Sequence, residues 1–106
     1  MKYLRPYFKA LGDDNRLEII KMLLEKEHCI CELIEKLDLS QSTVSYHTKI
    51  LNKVGLIKLR QVGQSTYCSL DKEGFAQYAS YINEKLFIPV AKSNPKDSIF
   101  TDTICR

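Results

Sequence analysis

Asp38-Leu39-Ser40 leaves room for nothing more than a tight turn between two stretches that both carry helical apolar spacing. Ahead of it, Ile30, Leu33, Ile34 and Leu37 recur at i, i+3, i+4 and i+7. Behind it, Ser40 is a good N-cap, and Leu39 with Val44 can act as a hydrophobic staple. The following helix turns Val44, Leu51 and Val54 inward and sets Ser42, Ser45, Tyr46, Lys49 and Lys53 on the other side. Gly55 ends it. Two helices locked at a short turn, the second with an outer face of hydroxyls, an aromatic ring and cations, form a helix-turn-helix suited to touching DNA.

The flanking segments complete the unit. Leu4, Phe8 and Leu11 predict a first helix stopped by Gly12, with Asp13 or Asp14 capping the next, whose face is lined by Leu17, Ile20 and Leu24 and widened by Ile19 and Leu23. Leu56 to Gln61 and Thr66 to Leu70 alternate like two strands around the turn Val62-Gly63-Gln64-Ser65. After Asp71, a last helix carries Phe75, Tyr78, Ala79, Ile82 and Leu86 as one stripe. The expected fold is mainly α with a small β-hairpin wing (α+β), a winged helix-turn-helix. It is expected to dimerise through its first and last helices, using Leu4, Phe8, Leu11, Phe75, Tyr78, Ala79, Ile82 and Leu86. Residues 1–86 form that domain, and Pro89, Ser93, Asn94 and Pro95 mark 87–106 as a flexible tail. No internal repeat is present.

A chain of 106 residues suits one modest core and is short for a buried catalytic cleft. A thiol enzyme built on Cys29 and His28 would need a pocket and an orienting third group that the sequence does not display, so no enzyme is expected. No apolar run approaches the roughly 20 residues that span a bilayer, and MKYLRPYFKA lacks a signal-peptide core. A cytoplasmic protein with reduced cysteines is expected.

The net charge of +3 is mild but divided. Asp13 to Asp38 holds eight acids against four bases, whereas Gln41 to Leu70 holds no acid and four bases, Lys49, Lys53, Lys58 and Arg60. A protein that lays one face on phosphate and turns the other to solvent has this distribution. Gln41, Ser42, Thr43, Ser45, Tyr46 and His47 are the candidates to reach bases or phosphates, with Lys49, Arg60 and Gln64 meeting the backbone or minor groove. A dimer of such units prefers an imperfect palindrome and binds with steep salt dependence.

Cys29-Ile30-Cys31 opens the helix ahead of this recognition helix. On a regular helix each residue turns by roughly 100°, so the two thiols point to nearly opposite faces, and one ion can join them only if the first turn unwinds. The helix N-terminus and a protonated His28 favour the thiolates. Soft thiolates select soft ions and exclude calcium and magnesium.

With FKALGDDNRLEII at Phe8 to Ile20, HCICELIEKL at His28 to Leu37, LSQSTVSYHTKILNKVGLI at Leu39 to Ile57 and GQSTYCSLD at Gly63 to Asp71, the chain resembles the ArsR/SmtB family of metal-responsive winged-helix repressors. The resemblance implies a homodimer that binds operator DNA when ligand-free and leaves it when a thiophilic ion binds. Its metal box, C-x-C-[DE]-L, matches Cys29, Cys31, Glu32 and Leu33, but the third cysteine of many arsenic sensors is replaced by Ile34. The Asp and His site of the zinc and nickel sensors is absent, since Asp71 to Leu86 contains no histidine. The inducer implied is As(III) or Sb(III), held by Cys29 and Cys31 with Cys105, or alternatively Cys68, as third ligand. Cadmium or lead sensing, a thiol redox or persulfide sensor, and a winged helix used for protein contacts are the alternatives. His47-Thr48 stands where the family reads His-Leu.

Overall fold

The computed structural model describes residues 4–87, with the side chains of Leu86 and Phe87 left out. The chain divides into two units, Met1–Phe75 and Ala76–Arg106. In the first, α1 (Leu4–Leu11) and α2 (Asp14–Glu25) lead into a two-residue strand β1 (His28–Cys29), then α3 (Ile30–Leu37), α4 (Gln41–Lys53) and the hairpin β2 (Ile57–Val62) and β3 (Ser65–Leu70). Helix α5 (Lys72–Ile82) starts there and runs into the second unit, where a π-helical turn, Asn83–Phe87, follows it. The winged helix-turn-helix expected from sequence is present. Among the described residues, no helix is long and apolar enough to cross a membrane.

Local chemistry sets the boundaries. Asp13, extended at the α2 N-cap, accepts hydrogen bonds from the backbone N–H groups of Asn15 (2.9 Å) and Arg16 (3.1 Å). The Arg16 N–H foremost holds its carboxyl below the ordinary range. Asp13→Ala is expected to cost about 1 kcal/mol, measurable by urea unfolding. Asp38 ends α3 in the left-handed region (φ 55°), and Ser40 caps α4 by accepting from the Thr43 N–H at 3.2 Å. At Gly55 (φ +83°) the backbone reverses, and Leu56 N–H returns to the Leu51 carbonyl at 3.0 Å.

The sheet is antiparallel with order β1-β3-β2. The hairpin turn is tighter than the sequence suggested: Val62 pairs with Ser65, leaving only Gly63 and Gln64 in the loop. Gly63 (φ +61°) supplies the positive φ that such two-residue turns need. Leu4, Ile19, Leu33, Val44, Leu51, Leu56, Ile57 and Cys68 form the centre of the core. On α2 the buried stripe is Ile19, Ile20 and Leu23, whereas Leu17 (48% exposed) and Leu24 (69%) face outward. The fully buried Ile19 sets the rotation of α2 and carries those two leucines away from the core.

The expected dimer stripe is also divided. Leu4 and Tyr78 are buried within one chain and unavailable to a partner, while Phe8 is 51% exposed. Leu11, Phe75 and Ile82 are half-buried and Ala79 is exposed. The side chain of Leu86, like the tail residues from 88 onward, lies outside the described residues.

Candidate functional site

Cys29 is not inside the helix. It is the extended N-cap of α3 (φ −69°, ψ 149°), so the 100° rotation assumed for two helical thiols does not apply. The Cα atoms of Cys29 and Cys31 are 5.2 Å apart, and their sulfurs meet in direct contact as a disulfide pair. The expectation of opposite-facing thiols is therefore corrected, and no unwinding is needed to bring them together.

The cap is a reciprocal box. The Cys31 N–H donates to Cys29 Sγ at 3.3 Å, and the Cys29 N–H donates to Glu32 Oε1 at 2.9 Å. That second bond is the main cause of a lowered Glu32 pKa. Glu32 thus supports the cap above the ordinary carboxylate range, and the support is lost as pH falls through the lowered value. His28 Nδ1 lies 3.7 Å from the same carboxylate oxygen. Cys29 is buried at 7% exposure, while Cys31 is exposed and gives solutes access to the pair.

Strand β1 ties this cap to the wing, pairing His28 with Cys68 and Cys29 with Tyr67. Sequence reasoning missed it because two residues carry no readable alternation. At the same junction Arg60 binds Glu27 (2.7 Å) and lies 5.2 Å from the Tyr67 ring centroid. Its side chain stays 59% exposed while it makes both contacts.

Cys68 is fully buried in β3, and burial pushes its thiol up to about 11. Among the described residues, no cluster of three His, Cys, Asp or Glu side chains is placed to hold a metal ion. Cys68 therefore does not complete the site in this conformation, and Cys105 lies outside the described residues. At pH 8 the Cys68 thiolate fraction is expected to be about 100-fold below that of an ordinary thiol. Native alkylation of the reduced protein should leave Cys68 unmodified, and peptide mass mapping checks this.

On α4, Gln41, Ser42, Tyr46 and Lys49 are exposed, Thr43 and Ser45 half-buried, and Gln64 is exposed at the wing tip. His47 does not belong with them: at 6% exposure it faces the core, and its Nδ1 has no hydrogen-bond partner among the described residues. Thr48 is also buried and returns its hydroxyl to the Ser45 carbonyl at 3.0 Å, so it fills an inward position despite its polarity.

A cavity of about 290 Å³ joins the two halves of the site. Cys29, Ile30, Cys31 and Ile34 form one wall, Gln41 and Ser45 of the recognition helix a second, and Gln64, Ser65 and Thr66 of the wing a third. The thiol pair, the start of the recognition helix and the wing tip thus border one space.

Comparison with known proteins agrees with this architecture. A family model described as bacterial regulatory protein, arsR family, matches residues 13–58. The arsenical resistance operon repressor of Staphylococcus xylosus is 37% identical over 87 residues, covering 82% of this chain and 80% of that protein. The cadmium resistance transcriptional regulatory protein CadC homolog of Staphylococcus aureus is 39% identical over 82 residues, covering 76% of this chain but only 64% of that protein. The chain therefore spans less than two thirds of the CadC homolog. Among solved structures, reduced HlyU from Vibrio cholerae N16961 superposes with a TM-score of 0.64 at 30% identity, covering 80% of this chain and 90% of that one.

Proposed function

The chain belongs to the arsR family of bacterial regulatory proteins, a family of transcriptional regulators and not enzymes, and from that premise we propose that it is a homodimeric repressor released from operator DNA by a thiophilic ion bound at Cys29 and Cys31. The observation that carries this reading is the convergence of two sulfurs at the N-cap of α3, directly ahead of the recognition helix. As(III) or Sb(III) is the first choice of ion. The arsenical resistance repressor among the relatives supports it, and so does the fit of two adjacent soft sulfurs to a soft centre. Cys105 is the proposed third sulfur for the inorganic ion. Cadmium or lead remains the alternative, favoured by the CadC homolog.

The domain comprises residues 1–86, with 87–106 as a tail that delivers Cys105. Its dimer surface is proposed on the first and last helices, from Phe8, Leu11, Phe75, Ala79, Ile82 and Leu86. The operator is an imperfect palindrome read by Gln41, Ser42, Thr43, Ser45 and Tyr46, with Lys49, Arg60 and Gln64 meeting the backbone or minor groove. Gln41→Ala is expected to cost about 1–3 kcal/mol of discrimination at one base pair. Lys49→Ala should weaken all sequences alike and reduce the salt slope by about 1. Fluorescence anisotropy at several salt concentrations separates the two effects.

The decisive experiment titrates the reduced protein with arsenite and, in parallel, cadmium, following the sulfur-to-ion charge-transfer band and operator release together. A band that depends on Cys29 and Cys31 and coincides with release supports the repressor reading; release without a band overturns it. The sulfur contact also favours a second reading, thiol redox sensing, in which a peroxide takes two electrons and two protons from the pair as the disulfide forms.

A further inference from the structure

We propose that the cleft between the recognition helix and the wing seats the sugar-phosphate backbone of one operator strand, with Cys31 at its end, so that bound DNA covers the Cys31 thiol directly. The proposal rests on the reading of this chain as a DNA-binding repressor. It makes operator and thiol reagent rivals for one space, with no conformational relay between separate sites.

The cavity of about 290 Å³ beside Cys31 does not end at the wing tip. A second cavity of about 280 Å³ shares Ile30, Ser45 and Thr66 with it and continues to Lys49 on α4. Together they form one cleft, with α4 on one side and residues 59–66 of the hairpin on the other. Among the described residues that line it there is no carboxylate, and Lys49 is the one charged group. Glu32, the acid nearest the thiols in sequence, is turned back onto the Cys29 N–H. Among the described residues, no hydrogen bond engages the side chains of Gln41, Ser45, Gln64 or Ser65, so both walls offer amides and hydroxyls to a ligand. Thr66 is different, because its hydroxyl donates to Gln61 Oε1 at 2.8 Å and it serves only as wall.

An acid-free cleft with a cation at one end and unengaged donors along both walls is complementary to a phosphodiester chain. Its position agrees. A recognition helix enters the major groove while the helix before it crosses the backbone, so the strand bordering that groove passes over the junction of α3, α4 and the wing. Gln41 and Ser45 on the α4 wall reach past the strand to base edges, and Gln64, Ser65 and Lys49 meet its phosphates. Cys31 is exposed at the end away from Lys49, and anything bonded to its sulfur adds atoms to the space the strand needs. The exclusion is reciprocal: the factor by which operator lowers the affinity for a thiol ligand equals the factor by which that ligand lowers the affinity for operator.

The test uses the reduced full chain and a duplex that this protein itself selects from a random-sequence pool. Alkylation of Cys31 by iodoacetamide, read by peptide mass mapping, is expected to run at least about 10-fold slower in the saturated complex, because reagent access then limits the rate. It should recover once nuclease removes the duplex. A remote effect of DNA on the thiol would also slow alkylation, so contact is measured separately. Duplexes carrying an activated disulfide tether on single backbone phosphates should trap Cys31 as a mixed disulfide at neighbouring phosphates of each half-site. Cys29→Ser is the chain for this step, since a reduced Cys29 would resolve the mixed disulfide. Serine is itself a good N-cap, so α3 is retained, and circular dichroism verifies this. An unchanged alkylation rate in the saturated complex overturns the proposal and leaves the repressor reading standing. Slowed alkylation with no trapping at any phosphate overturns it as well. A chain that selects no duplex overturns the repressor reading, and this proposal with it.

Discussion

Replacing Gly74 with alanine is expected to destabilise the protein by about 1–3 kcal/mol or more, although alanine is intrinsically the better helix former by about 1 kcal/mol. The reason lies in backbone against backbone. A Cβ at Gly74 would overlap the carbonyl oxygen of Gly55 and come within 2.9 Å of its carbonyl carbon. Neither side can yield cheaply. Gly55 is held at φ +83° where α4 reverses into β2, and the Gly74 N–H donates to Asp71 Oδ1 at 3.0 Å in the first turn of α5. Gly12→Ala is the control, since its Cβ would meet only the Phe8 carbonyl at 3.2 Å and that of Lys9 at 3.7 Å. Urea unfolding of both variants should show a fall in midpoint for Gly74→Ala and little change for Gly12→Ala. Equal midpoints would mean that α5 can lift off Gly55 at no cost.

Leu33→Ala is expected to have the largest effect of any single truncation near the thiols, about 2–5 kcal/mol. Leu33 is fully buried, and it is the one residue of the eight-residue helix α3 that is. A helix that short does not persist in water without tertiary packing. Losing Leu33 therefore weakens both the hold on α3 and the geometry that brings Cys29 to Cys31. Thermal unfolding should show the loss of stability, and the apparent affinity for arsenite should fall with it. Unaltered arsenite affinity in a destabilised Leu33→Ala protein would show that the thiols converge without support from the core.

The helices were legible because apolar spacing and caps agree: Ser40 caps α4, and the stripes of α3 and α4 bury Leu33, Val44 and Leu51 as their spacing predicts. The wing was legible from strand alternation, within a residue or two at each end. Strand β1 was not, because two residues become a strand only through pairing with β3, more than thirty positions away. The capping box at Cys29 was half visible. Glu32 stands three residues on, where such a box places it, but cysteine is an unusual cap, and counting it as helical sent its sulfur to the wrong face. His47 failed for a different reason. A polar residue beside Tyr46 on a recognition helix reads as a DNA contact, and only its burial shows that it faces the core.

The outer edge of the sheet has a consequence for behaviour at high concentration. In the order β1-β3-β2, strand β2 pairs on one side alone among the described residues, and five of its six residues are exposed, Leu59 and Val62 among them. Such an edge is a template for joining strands of neighbouring molecules, which Lys58 and Arg60 oppose because like charges would meet in any edge-to-edge stack. The wing thus carries its own protection against self-association. Neutralising those two cations to probe DNA contact also removes that protection, so the solubility of such variants has to be measured before a loss of binding is read as a lost contact.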